Sequence, residues 1–284
     1  MKHSKTFLEL EPEYSQYKTS RFVVIPCPHE VSVSYGTGTR FGPQAILDAS
    51  FNVENFDEEL KVETYKKAGI HTMKPCPAGK LTATVNKVIK DGKVPVILGG
   101  EHSLTPEAVK AVFNRYPRLS VLQFDAHADL RDQYHGDKNS HACAMRRTLE
   151  ICPVVQTGIR NLSPEEYEFA NKSGQINKIH FAEHIDVAEK IVSQLSEHVY
   201  ITFDVDAFDS SVMPSTGTPE PGGFFWYEAL DILREVCRQK KVVGTDFVEL
   251  MPIKGLFAPD FTVAKLIHRV MGYITAYSKP AFRV

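Results

Sequence analysis

The sequence predicts an α/β protein built on a mostly parallel sheet of eight strands. Three observations support this class. Short apolar, β-branched runs recur along the 284 residues, and segments of helical period separate them. No Gly/Ser-rich, Pro-rich or charge-run tract divides the chain, so one domain spanning 1–284 is expected.

In chain order the strand runs are 22–25, 70–73, 94–98, 119–124, 154–157, 178–181, 199–203 and 242–248. Each is short and bounded by turn residues, as a buried strand requires. Between the second and third, Leu81, Val85, Val88 and Ile89 recur at helical spacing. Thr105-Pro106-Glu107 reads as a helix start, with Thr105 as the cap and Pro106 at the first helical position. Ser163-Pro-Glu-Glu166 has the spacing of a capping box. The loop Gly36-Thr-Gly38 through Gly42-Pro43 lacks the spacing of a dinucleotide or phosphate cradle, and reads as a tight turn beside a pocket that leads into a helix at Pro43. Pattern alone leaves an open three-layer α/β/α sandwich and a closed (β/α)8 barrel equally admissible. Both place ligands at the carboxyl ends of the strands.

With 43% hydrophobic and 24% charged residues, the composition is that of a globular protein. A net charge of −2 gives no footing for nucleic acid or a membrane surface. The five cysteines are odd in number and scattered, and the amino terminus meets acidic residues where a signal peptide needs an apolar run. A cytoplasmic protein with reduced thiols is expected.

Three strand runs end in segments rich in carboxylate and imidazole. They are Gly99-Gly-Glu101-His102-Ser103, Asp125-Ala-His127-Ala-Asp129 and Asp204-Val-Asp206-Ala-Phe-Asp209. Residues two apart in extended chain share a face, so Asp125, His127 and Asp129 can converge on one point and Asp204 and Asp206 on another. Singly, each has an ordinary explanation: an Asp-x-Asp after a strand is usually a turn device, and a lone histidine is usually structural. Together they are a different matter, because unpaired acids at buried strand ends are costly. Arg131 and Lys138 are near enough in sequence to neutralise one or two at most. A nitrogen and oxygen set without thiolate suits Mn²⁺ or a Mg²⁺-like cation. Four carboxylates (Asp125, Asp129, Asp204 and Asp206) balance two divalent ions, with neutral His102 and His127 completing the shells. Asp246 reads as a supporting carboxylate that steadies a ligand.

These motifs resemble the signatures of the ureohydrolase (arginase/agmatinase) family. The similarity extends from Tyr35-Gly-Thr-Gly-Thr-Arg-Phe-Gly-Pro43 through Gly217-Thr-Pro-Glu-Pro-Gly-Gly223 to Asp246-Phe-Val-Glu-Leu-Met-Pro252. The resemblance implies the three-layer sandwich, with the barrel as runner-up, and assembly as a homotrimer or homohexamer. It implies two Mn²⁺ per subunit, one held by His102, Asp125, Asp129 and Asp204, the other by Asp125, His127, Asp204 and Asp206. It likewise implies that His141 shuttles protons and that Glu249 receives a guanidinium. The reaction implied is attack of hydroxide, generated between the metals, on a guanidinium carbon, with Asp129 relaying a proton to the departing amine.

The expected substrate is a small guanidino cation. The stretch after Asp129 does not match the arginase pattern, although Arg131 and Asn139 keep an acidic tail in play. The motifs around Gly217–Gly223 and Ser140–Arg147 resemble the agmatinase branch, so agmatine, yielding putrescine and urea in polyamine biosynthesis, is the first expectation. N1-aminopropylagmatine is the nearest alternative, followed by guanidinobutyrate or arginine. Asp132, Asp137 and Glu220 are candidates for the tail amine. Readings of another class are an inactive family member acting as a binding or regulatory subunit, and a zinc-dependent polyamine deacetylase of the same fold.

Overall fold

The structure, a computed structural model, describes residues 5–184 and 187–277. The first four residues of the amino-terminal segment read above lie outside that range. The elements in order are α1 (Pro12–Ser15), β1 (Phe22–Cys27), α2 (Gly42–Ser50), β2 (Phe56–Asp57), β3 (Val62–Glu63), α3 (Thr64–Ala68), β4 (Ile70–Thr72), α4 (Leu81–Lys90), β5 (Val94–Gly99), α5 (Thr105–Arg115), β6 (Leu119–Phe124), α6 (Ala144–Leu149), β7 (Val154–Ile159), α7 (Pro164–Ser173), β8 (Ile179–Phe181), α8 (Ala188–Ser193), β9 (His198–Asp204), α9 (Trp226–Gln239), β10 (Lys241–Val248) and α10 (Ala258–Tyr277).

All eight expected strand runs enter one sheet, in the order β4-β1-β5-β10-β9-β6-β7-β8. Every pairing in it is parallel. The sheet is open, with β4 and β8 as its edges, and the barrel is thereby excluded. Both faces are covered, which is why the strands are continuously apolar rather than alternating. Phe22 and Val24 pack with Ile46 of α2, Leu230 of α9 and Val263 of α10 on one side. Val23 and Ile25 pack with Val85 of α4, Val109 of α5 and Met145 of α6 on the other. The three-layer sandwich follows from that alternation.

Local signals behave unevenly. Ser163 forms the capping box with Glu166, as its spacing predicts. Thr105 does not cap α5: a 3₁₀ turn over His102–Leu104 precedes it, and the Thr105 hydroxyl donates instead to Asp246 Oδ2 at 2.9 Å. Thr105 is already the first residue of α5, so its oxygen is not placed to accept a helix-end amide, and its proton goes to a buried carboxylate. The hairpin of β2 and β3 carried no sequence signal, since two-residue strands are too short to show a period. Its anchor is the buried Asp57, which accepts the Glu59 and Leu60 amides and pairs with Arg269 at 2.8 Å.

Candidate metal centre

The strands β5, β10, β9 and β6 are neighbours at the middle of the sheet, and their ends lie level: Leu98 is opposite Phe247, Phe247 opposite Phe203, and Phe203 opposite Phe124. The chain that leaves each of these four ends therefore emerges over one spot. His102 follows β5, Glu249 follows β10, Asp204 and Asp206 come from β9, and Asp125, His127 and Asp129 from β6. Stacked Phe124 and Phe203, with centroids 4.9 Å apart, lie at these ends. The carboxyl edge of a parallel sheet is where such a site is expected.

The structure brings five of the six expected ligands into two groups, and Asp204, expected in both, falls in neither although its Oδ2 lies 3.5 Å from His102 Nδ1. His102, Asp125 and Asp129 form one group able to hold a cation, and Asp125, His127 and Asp206 form a second, so Asp125 is common to both. His102 Nδ1 lies 3.1 Å from Asp125 Oδ2, 3.0 Å from Asp129 Oδ2 and 3.5 Å from Asp204 Oδ2. His127 Nδ1 lies 2.9 Å from Asp206 Oδ2 and 3.6 Å from Asp125 Oδ1. The four aspartates and His102 are all buried.

No Lys or Arg among the described residues pairs with any of the six. Arg131 turns to Glu166 at 3.8 Å, and Lys138 to Asp132 at 3.9 Å. Buried His102 Nδ1 also lacks a hydrogen bond of acceptable geometry despite its three carboxylate neighbours. Converging carboxylates and an unbonded imidazole nitrogen, with no Lys or Arg beside them, are what a divalent ion would satisfy.

The electrostatics carry the same strain. Burial and the neighbouring Asp206 push Asp204 well above the usual carboxylate range. Burial and Asp125 push Asp129 up to about 7. Burial opposes charge on both histidines, but the close carboxylates of Asp125 and Asp129 raise His102 well above its ordinary value, and those of Asp206 and Asp125 raise His127 to about 12. Asp125 is held low because its hydrogen bonds with the two histidines outweigh its burial. Without a metal the cluster holds protons in its place.

Neighbouring groups aim the ligands. Asp125 Oδ2 accepts from Gln123 Nε2 at 2.6 Å and Oδ1 from the His127 amide at 2.6 Å. Asp206 Oδ1 accepts the Ala126 amide, and Asp204 Oδ1 the Asp206 amide, each at 2.9 Å. His102 Nε2 meets Thr202 Oγ1 at 2.9 Å, and Thr202 donates to Asp246 Oδ1 at 2.6 Å, leaving Nδ1 turned to the acids. Asp246 also accepts from Tyr200 at 2.7 Å, so it supports His102 from behind as its position suggested. Asp129 and Glu249 have φ of +52° and +64°, a left-handed conformation costly for non-glycine residues that recurs at functional sites. Asp209 stands apart: it accepts from Ser211 and the Gly222 and Gly223 amides, and shapes a turn.

A cavity of about 230 Å³ opens above the cluster, lined by His141, Glu249, Glu220, Arg131, Tyr134 and the 32–36 loop, among others. Glu249 Oε1 accepts the His102 amide at 2.7 Å, and burial pushes its carboxyl up to about 8. His141 sits between Ser32 and Ser34, and burial lowers its pKa. Of the three tail-amine candidates only Glu220 lines the cavity; Asp132 pairs with Arg147 at 2.8 Å and Asp137 accepts the Asn139 amide. The glycine loop does border the cavity. Its Gly36 is packed so tightly that a Cβ there would lie 2.8 Å from Met251 Sδ. Sequence reading missed Ser32, Ser34, Thr202 and Arg160, the last of which binds the carbonyls of Gly158, Asp206 and Glu220. Their partners are remote in sequence, so no local spacing marks them.

An open parallel sheet with a buried His and Asp cluster over its four central strands defines an α/β/α protein with a candidate two-metal centre. The chain belongs to the arginase family, whose model matches residues 20–272. It is 38% identical over 288 residues to the N(1)-aminopropylagmatine ureohydrolase of Synechocystis sp., covering 95% of this chain and 94% of that one. It is 34% identical to the agmatinase of Pyrococcus horikoshii, covering 90% and 92%. Among solved structures it resembles the agmatine ureohydrolase of Thermoplasma volcanium with a TM-score of 0.81 and 28% identity, over 93% of this chain and 92% of that one.

Proposed function

We propose that this chain is a ureohydrolase that converts agmatine to putrescine and urea at two Mn²⁺ ions held by His102, Asp125, His127, Asp129, Asp204 and Asp206. The observation that carries the reading is the pair of ligand groups sharing Asp125, with no Lys or Arg among the described residues to neutralise them. When bound, two such ions balance the four aspartates and lower the pKa of water enough to make a nucleophile at neutral pH.

The protein's own residues supply the rest. Glu249 receives the planar guanidinium by charge-assisted hydrogen bonds and orients its carbon. Its positive-φ backbone turns the side chain off the end of β10 beside His102. Asp129, next to His102, relays the proton the departing amine needs, and His141 exchanges it with solvent. Glu220 is the carboxylate at the cavity for the ammonium of the tail.

A second reading, N1-aminopropylagmatine as substrate with urea and spermidine as products, is favoured by relatives of that name at 38–40% identity. The two substrates share the guanidinobutyl end, so the cluster serves both. The interleaving of early and late strands in one sheet supports a single domain over 1–284. Five free, buried cysteines and no described helix able to cross a membrane support a cytoplasmic location, and the family supports a homotrimer or homohexamer.

The test is urea release with Mn²⁺ across agmatine, N1-aminopropylagmatine, arginine, guanidinobutyrate and guanidinopropionate. The highest kcat/KM is expected on agmatine. A higher value on N1-aminopropylagmatine moves the substrate to the second reading, and negligible rates on all five overturn the hydrolase. Metal analysis finding one Zn²⁺ instead of two Mn²⁺ would favour the deacetylase.

A further inference from the structure

We infer that Glu101 acts through Ser32 to hold His141 in a single tautomer, with the proton on Nδ1 and the lone pair on Nε2. This rests on the proposed role of His141 as the proton shuttle. Glu101 directly precedes a metal ligand and is fully buried, yet it faces away from the cluster. Its Oε2 accepts the Val31 and Ser32 amides at 2.5 and 2.7 Å, and its Oε1 accepts the hydroxyls of Ser32 at 2.9 Å and Ser103 at 2.5 Å. Every one of these partners is a donor.

A serine hydroxyl has one proton to give. Ser32 gives its proton to Glu101, so toward His141 it can only accept. It does so twice, from the His141 amide at 3.0 Å and from ring Nδ1 at 3.1 Å. Ser140 Oγ lies farther from Nδ1, at 3.3 Å, so the nearer Ser32 oxygen decides and Nδ1 carries the hydrogen. At the other side of the ring, Ser34 Oγ lies 2.9 Å from Nε2 and donates to its lone pair. Tyr134 braces the ring edge-on at 5.7 Å. Nε2 is therefore the nitrogen that takes a proton from solvent and passes it inward. The Glu101 charge, two hydrogen bonds away, stabilises the imidazolium formed in between. Glu101 and Ser32 are positioning residues, since they act through the His141 ring.

The experiment uses ¹⁵N-histidine spectra of the full-length Mn²⁺-free protein and steady-state kinetics of the Mn²⁺-loaded enzyme on agmatine. The spectra are expected to show neutral His141 as the Nδ1–H tautomer, and an Nε2–H tautomer in the unaltered protein overturns the inference with no variant needed. Ser32→Ala should lower kcat about 10-fold, within the range general acid–base groups contribute, with KM and bound Mn²⁺ unchanged and the tautomer mixed. Ser32→Thr, which restores a hydroxyl, should recover most of the rate. In a His141→Asn background Ser32→Ala should cost nothing further, whereas additive losses would mean that Ser32 only braces its loop. If His141→Asn is slow while Ser32→Ala turns over normally, this inference alone fails. Should His141→Asn retain full turnover, the shuttle reading itself fails.

Discussion

Loading the metal-free protein with Mn²⁺ at pH 7 should release at least about two protons per chain, because metal and protons compete for the same donor atoms. Metal ligation needs neutral imidazole and ionised carboxylate. In the metal-free protein His102 and His127 are raised, the latter to about 12, so each gives up one proton. Asp204, pushed well above its usual range by burial and Asp206, adds to the release. Asp129, pushed up to about 7 by burial and Asp125, is half protonated at that pH and contributes about a half. All these shifts are upward, so protons are lost on binding and affinity must rise with pH. Linkage then makes the combined affinity for the two ions grow by at least about two decades from pH 6.5 to 7.5. Calorimetric titration with Mn²⁺ in buffers of different ionisation enthalpy measures the count directly. Release of less than one proton would refute the reasoning, because the cluster would then be neutralised by something other than protons before the metal arrives.

Asp204→Asn should lose bound metal and urea release together, whereas His141→Ala should keep near-normal metal content and turn over about 100-fold more slowly; metal analysis beside kcat separates the two. Asp246→Asn removes an acceptor shared by Thr105, Tyr200 and Thr202, and by loosening His102 should weaken Mn²⁺ about 10- to 100-fold, read by competition with a chelator. Far from the site, Arg269→Met leaves Asp57 as an unpaired buried charge and should cost about 3–5 kcal/mol of stability in urea denaturation while leaving KM for agmatine unchanged.

Much of the architecture was legible from local chemistry. The eight strands could be read because each is an apolar, β-branched stretch buried on both faces, and α7 because Ser163 and Glu166 stand three apart. Five of the six expected ligands were legible because Asp-x-His-x-Asp and Asp-x-Asp follow such stretches directly, and His102 because Gly-Gly-Glu-His-Ser ends a third. Thr105 was misread for an equally physical reason: its cap-like spacing is local, whereas the carboxylate that binds it is 141 residues away. Glu101 sits in a motif that attracts notice, but its partner Ser32, 69 residues earlier, gives no hint of the connection.

By itself the sequence determined which segments are strands, which side chains stand at their carboxyl ends, and that those side chains are too acidic to be buried together without a cation. Only the tertiary structure decided that β10 inserts between β5 and β9, that the sheet stays open, and that four strand ends meet at one place. The reason lies in the range of the forces. Torsional preference and side-chain periodicity act within a few residues, while strand order is settled by competition among packings that join residues more than a hundred apart, such as Val96 with Thr245.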